Sequence, residues 1–258
     1  MTGTPLLECS ALETAVPGRL LCTDLNLAAA PGDRIALLGP NGSGKTTLLH
    51  TLAGLNPMRN GTVTLLGKHL AAWKRRHLAR HLGLSFQEPG DALPSNVLET
   101  TLMGRHPHLG AWSWEGPEDA RIARAALADV GLAGLEARTT DSLSGGERQR
   151  LALAVLLTQA PDVLLLDEPA NHLDPAQQVQ ILKALDTHIA RSQACAIMSL
   201  HDVNLALRFC NRALLLFGDG NWVEGPVAEV INEEHLERLY GHPMHSLQGP
   251  GGPAYLPA

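Results

Sequence analysis

The chain has 258 residues, 45% apolar and 18% charged, the balance of an ordinary globular protein long enough to bury a full core. A formal charge of −6 argues against a nucleic-acid partner, and 3% aromatic residues argue against stacking platforms for single-stranded bases. No window approaches the ~18 apolar residues of a membrane span, and the opening MTGTPLLECSALETAV lacks the basic and apolar blocks of an export signal, so a soluble cytosolic protein is expected.

Residues 5–38 alternate short apolar runs with turn signals, VPGR at 16–19 and APGDR at 30–34, and read as strands ending in the buried strand Arg34–Leu38. A Gly-rich loop follows, then a helix around Gly44–Ala53 stopped by Gly54 and the Asn56-Pro57 pair. NGTVTLLG at 60–67 predicts a turn and a strand, Trp73–His81 a basic helix, and Gly83–Phe86 a short strand. Between Gln87 and Ser142 Pro and Gly become frequent, and helices beginning near Asn96 and Pro117 are predicted without a strand. This stretch is a candidate inserted helical subdomain. Arg148–Gln159 carries the all-round apolar tail of a buried helix. Asp162–Leu166, Ala194–Leu200 and Ala213–Phe217 read as strands, separated by helices over Pro175–Ala190 and Val203–Phe209. Such alternation means a parallel sheet covered on both faces. GPGGPAYLPA at 249–258 is expected to be a loose tail. The four cysteines, Cys9, Cys22, Cys195 and Cys210, lack CxxC or zinc-type spacing and read as small buried hydrophobes.

GPNGSGKT at 39–46 matches the pattern G-x-x-x-x-G-K-[ST] in full, after a strand and before a helix. Gly39, Gly42 and Gly44 let backbone N–H groups converge on phosphate oxygens, with Pro40, Asn41, Ser43 and Thr47 completing the cradle at the helix N-terminus. Lys45 reaches the terminal phosphates and the Thr46 hydroxyl ligates Mg²⁺. DVLLLDE at 162–168 is an apolar strand that delivers two carboxylates at its C-terminal edge, where α/β sheets bind ligands. Alone, the pair could be solvated carboxylates after a core strand. Beside the upstream loop, Asp167 is the expected Mg²⁺ side and Glu168 the general base that polarises the attacking water of a P-loop nucleoside triphosphatase. SLSGGERQR at 142–150 looks like a second anion cradle, yet it has no lysine.

That second cradle resembles the LSGGE signature of the ATP-binding-cassette (ABC) ATPases, with LSGGE here at 143–147. Gln87, ending LGLSFQ, resembles the family's Q-loop glutamine, which senses Mg²⁺ and the attacking water; NHLD at 171–174, ending in Asp174, resembles the D-loop. His201 in MSLHD, which alone would read as a core histidine, resembles the switch histidine that contacts the γ-phosphate. The resemblance spans nearly the whole chain. It implies an α/β, RecA-like P-loop core with an N-terminal antiparallel β region and an inserted helical subdomain. The expected division is 1–86 and 143–217 for the two parts of the core, 87–142 for the helical subdomain and 218–258 for a short C-terminal extension. It also implies ATP and Mg²⁺ as cofactors and a head-to-tail dimer with a second copy, in which Ser144, Gly145 and Gly146 close over nucleotide held by the other copy's Lys45. A lone subunit is then expected to hydrolyse ATP slowly. The family usually places an aromatic residue before the phosphate loop to stack on adenine. Alignment puts Val16 there, so either affinity is weaker or Arg19 covers the ring.

GRHPHLG at 104–110 resembles the cassettes of importers for iron–siderophores, haem and cobalamin, as do QAPDVLLLDEPANHLDPAQQ and SLHDVNLALRFCNRALLL. The resemblance implies that residues 87–108 dock a transmembrane permease dimer at the cytoplasmic face of the membrane, with an extracytoplasmic binding protein engaged indirectly. Leu98 and Leu102, at i and i+4, could present a ridge to that permease or belong to the subdomain's own core. His106, His108, His242 and His245 read as surface histidines, since no Cys or acidic set completes a metal site. The alternatives are an ABC transporter for another substrate, or a soluble ABC ATPase acting on ribosomes or DNA.

Overall fold

The computed structural model describes residues 4–85, 95–110, 113–171, 173–249 and 252–258. The first half contains β1 (Leu7–Val16), β2 (Arg19–Ala29), β3 (Arg34–Leu38), α1 (Lys45–Leu52), β4 (Asn60–Leu65), β5 (Lys68–His69), α2 (Arg75–His81) and β6 (Leu82–Ser85). After α3 (Val97–Leu102), α4 (Pro117–Asp129) and α5 (Gly145–Gln159), the chain returns to strands with β7 (Val163–Leu166), α6 (Pro175–Ser192), β8 (Cys195–Ser199), α7 (Val203–Phe209) and β9 (Arg212–Leu216). It closes with β10 (Trp222–Pro226), α8 (Val227–Val230), α9 (Glu233–Tyr240), β11 (Met244–Gly249) and β12 (Gly252–Pro257).

A six-stranded sheet of order β10-β9-β3-β8-β7-β6 forms the centre, parallel except for β10 at one edge. The inner strands β3, β7, β8 and β9 are near-continuous apolar runs because both faces are buried. The alternation of side chains along each strand sorts them onto two cores. Ala36, Leu38, Leu164, Leu166, Ala196 and Met198 face the core shared with α5, α6 and α7. Ile35, Leu37, Leu165, Cys195 and Ile197 face the opposite core, shared with α1 and an antiparallel four-stranded sheet of order β2-β1-β4-β5. The predicted antiparallel β region and parallel core are therefore both present. All four cysteines are free and buried, which pushes their thiols up to about 12.

α3 and α4 stand where helices were predicted. Asn96 and Glu99 make reciprocal capping bonds at the start of α3, of 2.8 and 3.0 Å, and Pro117 opens α4. Leu98 is half-buried and packs against the helix-side core, whereas Leu102 is half-buried without belonging to it. Phe86, the predicted end of β6, lies outside the described residues.

The C-terminal expectation needs correction. Gly252–Pro257 is a strand paired antiparallel with Met244–Gly249, and Tyr255 is buried in the helix-side core. The Tyr255 hydroxyl donates to the Ile231 carbonyl at 3.0 Å, and Tyr255 N–H and C=O exchange bonds of 2.8 and 3.1 Å with the Asn204 amide. Gly and Pro made the segment read as loose, but in a two-stranded hairpin a strand has a free edge that tolerates a missing N–H. One anchored aromatic residue then holds the segment.

Candidate functional site

The phosphate loop joins β3 to α1. Gly42 and Gly44 take φ values of +76° and +106°, left-handed conformations that fold the loop into a cup. A Cβ at Gly39 would collide with Ser43 Oγ and with the Leu216 carbonyl, so the cup closes only around glycine there. The first backbone bond of α1 runs from Leu48 N–H to the Gly44 carbonyl at 2.8 Å, and Ser43 N–H donates to the Pro40 carbonyl at 3.1 Å, which leaves the N–H groups at the start of α1 to the cup and its favourable field for an anion. Lys45 is buried and folded back on the loop, its Nζ donating to the carbonyls of Gly39 at 2.7 Å and Pro40 at 3.2 Å. Burial lowers its pKa from the ordinary lysine value, while Glu168 and then Asp167 oppose that shift. Thr46 and Asn41 are exposed at the rim, Thr47 is half-buried, and the buried Ser43 Oγ has no hydrogen-bond partner among the described residues.

Asp167 and Glu168 leave the end of β7 on the same side as the cup. Asp167 is buried, and its Oδ1 accepts from Ser199 Oγ at 2.7 Å. Glu168 takes φ +51°, an uncommon left-handed value for a non-glycine residue, and its N–H donates to the same Ser199 Oγ at 2.7 Å. Its Oε1 lies 2.7 Å from His201 Nε2, and its Oε2 accepts from Asn171 Nδ2 at 2.6 Å. Gln149 of α5 reaches behind this turn, 3.3 Å from the Glu168 carbonyl. The structure thus brings Lys45, Asp167, Glu168 and His201 together. It also recruits Ser199, Asn171 and Gln149, which the sequence reading did not single out. The available signal was a hydroxyl at the end of an otherwise apolar core strand, two residues before His201.

The donor set fits the expected groups. A cup of backbone N–H donors with a buried ammonium suits the phosphates of ATP, and the hard oxygens of Thr46 and Asp167 suit Mg²⁺. Gln87, the third expected metal contact, lies outside the described residues.

Ser144 caps α5: its Oγ accepts from Glu147 N–H at 3.3 Å, and Glu147 Oε2 accepts from Ser144 N–H at 2.7 Å. Ser144 and Gly145 are exposed, and a Cβ at Gly145 would meet open space. Among the described residues no hydrogen bond joins Ser144, Gly145 or Gly146 to the chain's own phosphate loop. Asp174 is exposed and caps α6 by accepting from Gln177 N–H at 2.9 Å. Val16 is 40% exposed. Arg19 reaches over the cup beside Gly42 and donates to the Gly218 carbonyl at 2.6 Å. His108 is turned inward, its Nε2 2.8 Å from the Gln159 carbonyl, and burial lowers its pKa.

A family model described as ABC transporter matches residues 22–171. A hemin import ATP-binding protein, HmuV of Gloeobacter violaceus, is 39% identical over 244 residues, covering 92% of this chain and 87% of that one. A phosphonates import ATP-binding protein, PhnC of Alcaligenes faecalis, is 38% identical over 84% of this chain and 81% of its own length. Among solved structures, an inward-facing transporter described as of metal-chelate type superposes with a TM-score of 0.85 at 27% identity, covering 98% of each chain.

Proposed function

This chain belongs to the ABC transporter family and is one of its ATP-binding ATPase subunits, and from that premise we propose that it powers import of a metal chelate (iron–siderophore or haem) or of cobalamin through a partner permease. The observation that carries the catalytic part is the convergence of Lys45, Asp167, Glu168 and His201 at one edge of the parallel sheet. Phosphoryl transfer depends mainly on positioning and charge stabilisation, which is what these residues supply. The cup and Lys45 hold the triphosphate. Bound Mg²⁺, held by Thr46, Asp167 and Gln87, would neutralise charge on the terminal phosphates. Glu168 Oε1 accepts a proton from the water whose oxygen forms the new bond to the γ-phosphorus, as the bond to the β–γ bridging oxygen breaks and ADP leaves. His201, 2.7 Å from Glu168, would contact the γ-phosphate beside that carboxylate.

The dimer reading is supported by the exposure of Ser144 and Gly145 at the N-terminus of a 15-residue helix whose Ser144, Gly145 and Gly146 make, among the described residues, no hydrogen bond to the chain's own cup. A second copy's nucleotide fits that place, with Ser144, Gly145, Gly146 and Asp174 contributing in trans. Residues 87–142 are proposed as the helical subdomain that meets the permease through 87–108 at the cytoplasmic face. The core parts are then 1–86 and 143–217, and 218–258 forms the C-terminal extension. An extracytoplasmic binding protein would deliver the substrate, and nucleic acid plays no part. Arg19 is the proposed cover for adenine, since its guanidinium already lies beside the cup.

The substrate class rests on GRHPHLG and on the hemin-importer relative. The phosphonate-importer relative, at nearly the same identity, supports a second reading. Vesicles that carry this chain with its co-purified permease and binding protein decide between them. ATP-driven uptake of haem, a ferric siderophore or cobalamin is the expected result; uptake of a phosphonate alone would replace it. Loss of co-purification on substituting Leu98 and Leu102 tests the docking segment.

A further inference from the structure

Ser199 is fully buried at the end of β8, beside the end of β7, and its hydroxyl touches both carboxylate-bearing residues. The backbone N–H of Glu168 can only donate, so at 2.7 Å it must donate to Ser199 Oγ. The single hydroxyl proton is then committed to Asp167 Oδ1, also at 2.7 Å. The result is a directed chain from the Glu168 peptide through the hydroxyl to the Asp167 carboxylate, in which each bond polarises the next. It fixes two things at once. Asp167 loses rotation about its carboxyl, with Oδ1 occupied and, among the described residues, nothing bonded to Oδ2. Glu168 is held in its left-handed turn at φ +51°, the conformation from which its side chain meets His201 at 2.7 Å and Asn171 at 2.6 Å.

We propose that Ser199 is a positioning residue for ATP hydrolysis, its buried hydroxyl locking the metal-side carboxylate of Asp167 and the backbone of the base Glu168 into one unit. The proposal deepens, and rests on, the roles assigned above to those two carboxylates. An alanine there would leave the Glu168 N–H without its acceptor and Asp167 Oδ1 without its donor, at a position where Ser199 is fully buried and Asp167 is 1% exposed.

The test uses the full chain with Ser199→Ala and Ser199→Thr. Three readouts are taken: ATP affinity without divalent metal, Mn²⁺ affinity by electron paramagnetic resonance with a non-hydrolysable ATP analogue, and kcat at saturating ATP. Groups that orient metal ligands typically cost about 10–100-fold in metal affinity or rate when removed. Ser199→Ala is expected to lose that much in Mn²⁺ affinity and in kcat, with metal-free ATP affinity held within about twofold, and Ser199→Thr to recover most of both. A folded Ser199→Ala protein with parental Mn²⁺ affinity and kcat overturns the proposal, whatever happens to its melting temperature. If alanine does not fold, Ser199→Cys, a poorer hydrogen-bonding group of similar shape, is expected to lie between serine and loss, and parental values there are equally fatal. Asp167→Asn tests the underlying reading separately. Unchanged Mn²⁺ affinity in that variant removes Asp167 as the metal side, and the role of Ser199 with it. Lost affinity in Asp167→Asn beside normal affinity in Ser199→Ala removes Ser199 alone.

Discussion

Glu168→Gln replaces a proton acceptor by an amide of the same size, so it separates chemistry from binding and folding. The backbone bond from Glu168 to Ser199 Oγ is untouched, and a glutamine can still accept from Asn171 through its oxygen while its amide faces His201. Lys45 and the cup are unchanged, which leaves ATP affinity to within about threefold and stability to within ~0.5 kcal/mol. A positioned general base is worth roughly 10²–10⁴ in rate, so at about 1.36 kcal/mol per tenfold the barrier should rise by roughly 3–5 kcal/mol. Steady-state phosphate release measures the loss. Size-exclusion chromatography with ATP and Mg²⁺ should show the variant accumulating as a dimer, because nucleotide enters and is not consumed. Phosphate release within about threefold of the parent would refute the assignment of Glu168 as base, since the loss of roughly 10²–10⁴ expected on removing a positioned base would then be absent.

Ser144→Arg should abolish the steep dependence of ATPase rate on protein concentration, and in a mixture with the parent it should reduce turnover; a lone parent subunit with full activity at every dilution would remove the dimer. A group supplied in trans is worth ~10³–10⁵ in phosphoryl transfer, so the effect is well outside assay error. Tyr255→Ala should cost about 3 kcal/mol of unfolding free energy in urea and Tyr255→Phe about 1 kcal/mol, the difference separating ring burial from the hydroxyl bond to Ile231. An unaltered urea midpoint in both would return 249–258 to a loose tail. Burial lowers the pKa of His188, so the unfolded chain takes up a proton there as pH falls below ~6.5 while the folded chain resists it. Stability should therefore decline from that pH down to the folded pKa. His188→Leu, which also removes a buried Nε2 without a partner among the described residues, should flatten that decline in urea titrations at successive pH values, and an identical slope would count against the shift.

The residues that were legible in the chain owe that to being contiguous. GPNGSGKT carries its glycines, its lysine and its helix start within eight consecutive positions, so the cup and the ligand chemistry can be read without knowing what packs against it. The alternation of apolar strands and helices likewise named the parallel sheet, because burial on both faces leaves its mark on every inner strand. Tyr255 and the hairpin were not legible: glycine and proline describe local backbone freedom, while the decision lay with Asn204 and Ile231, far off in the chain. The same holds for Ser199, whose partners are 31 and 32 residues away and meet it because β7 and β8 are neighbours. Local pattern thus specified which atoms bind phosphate and which carboxylates follow a core strand. Packing between distant strands alone settled how those carboxylates are held, since a hydrogen bond across a sheet depends on register, and no short stretch of chain encodes register by itself.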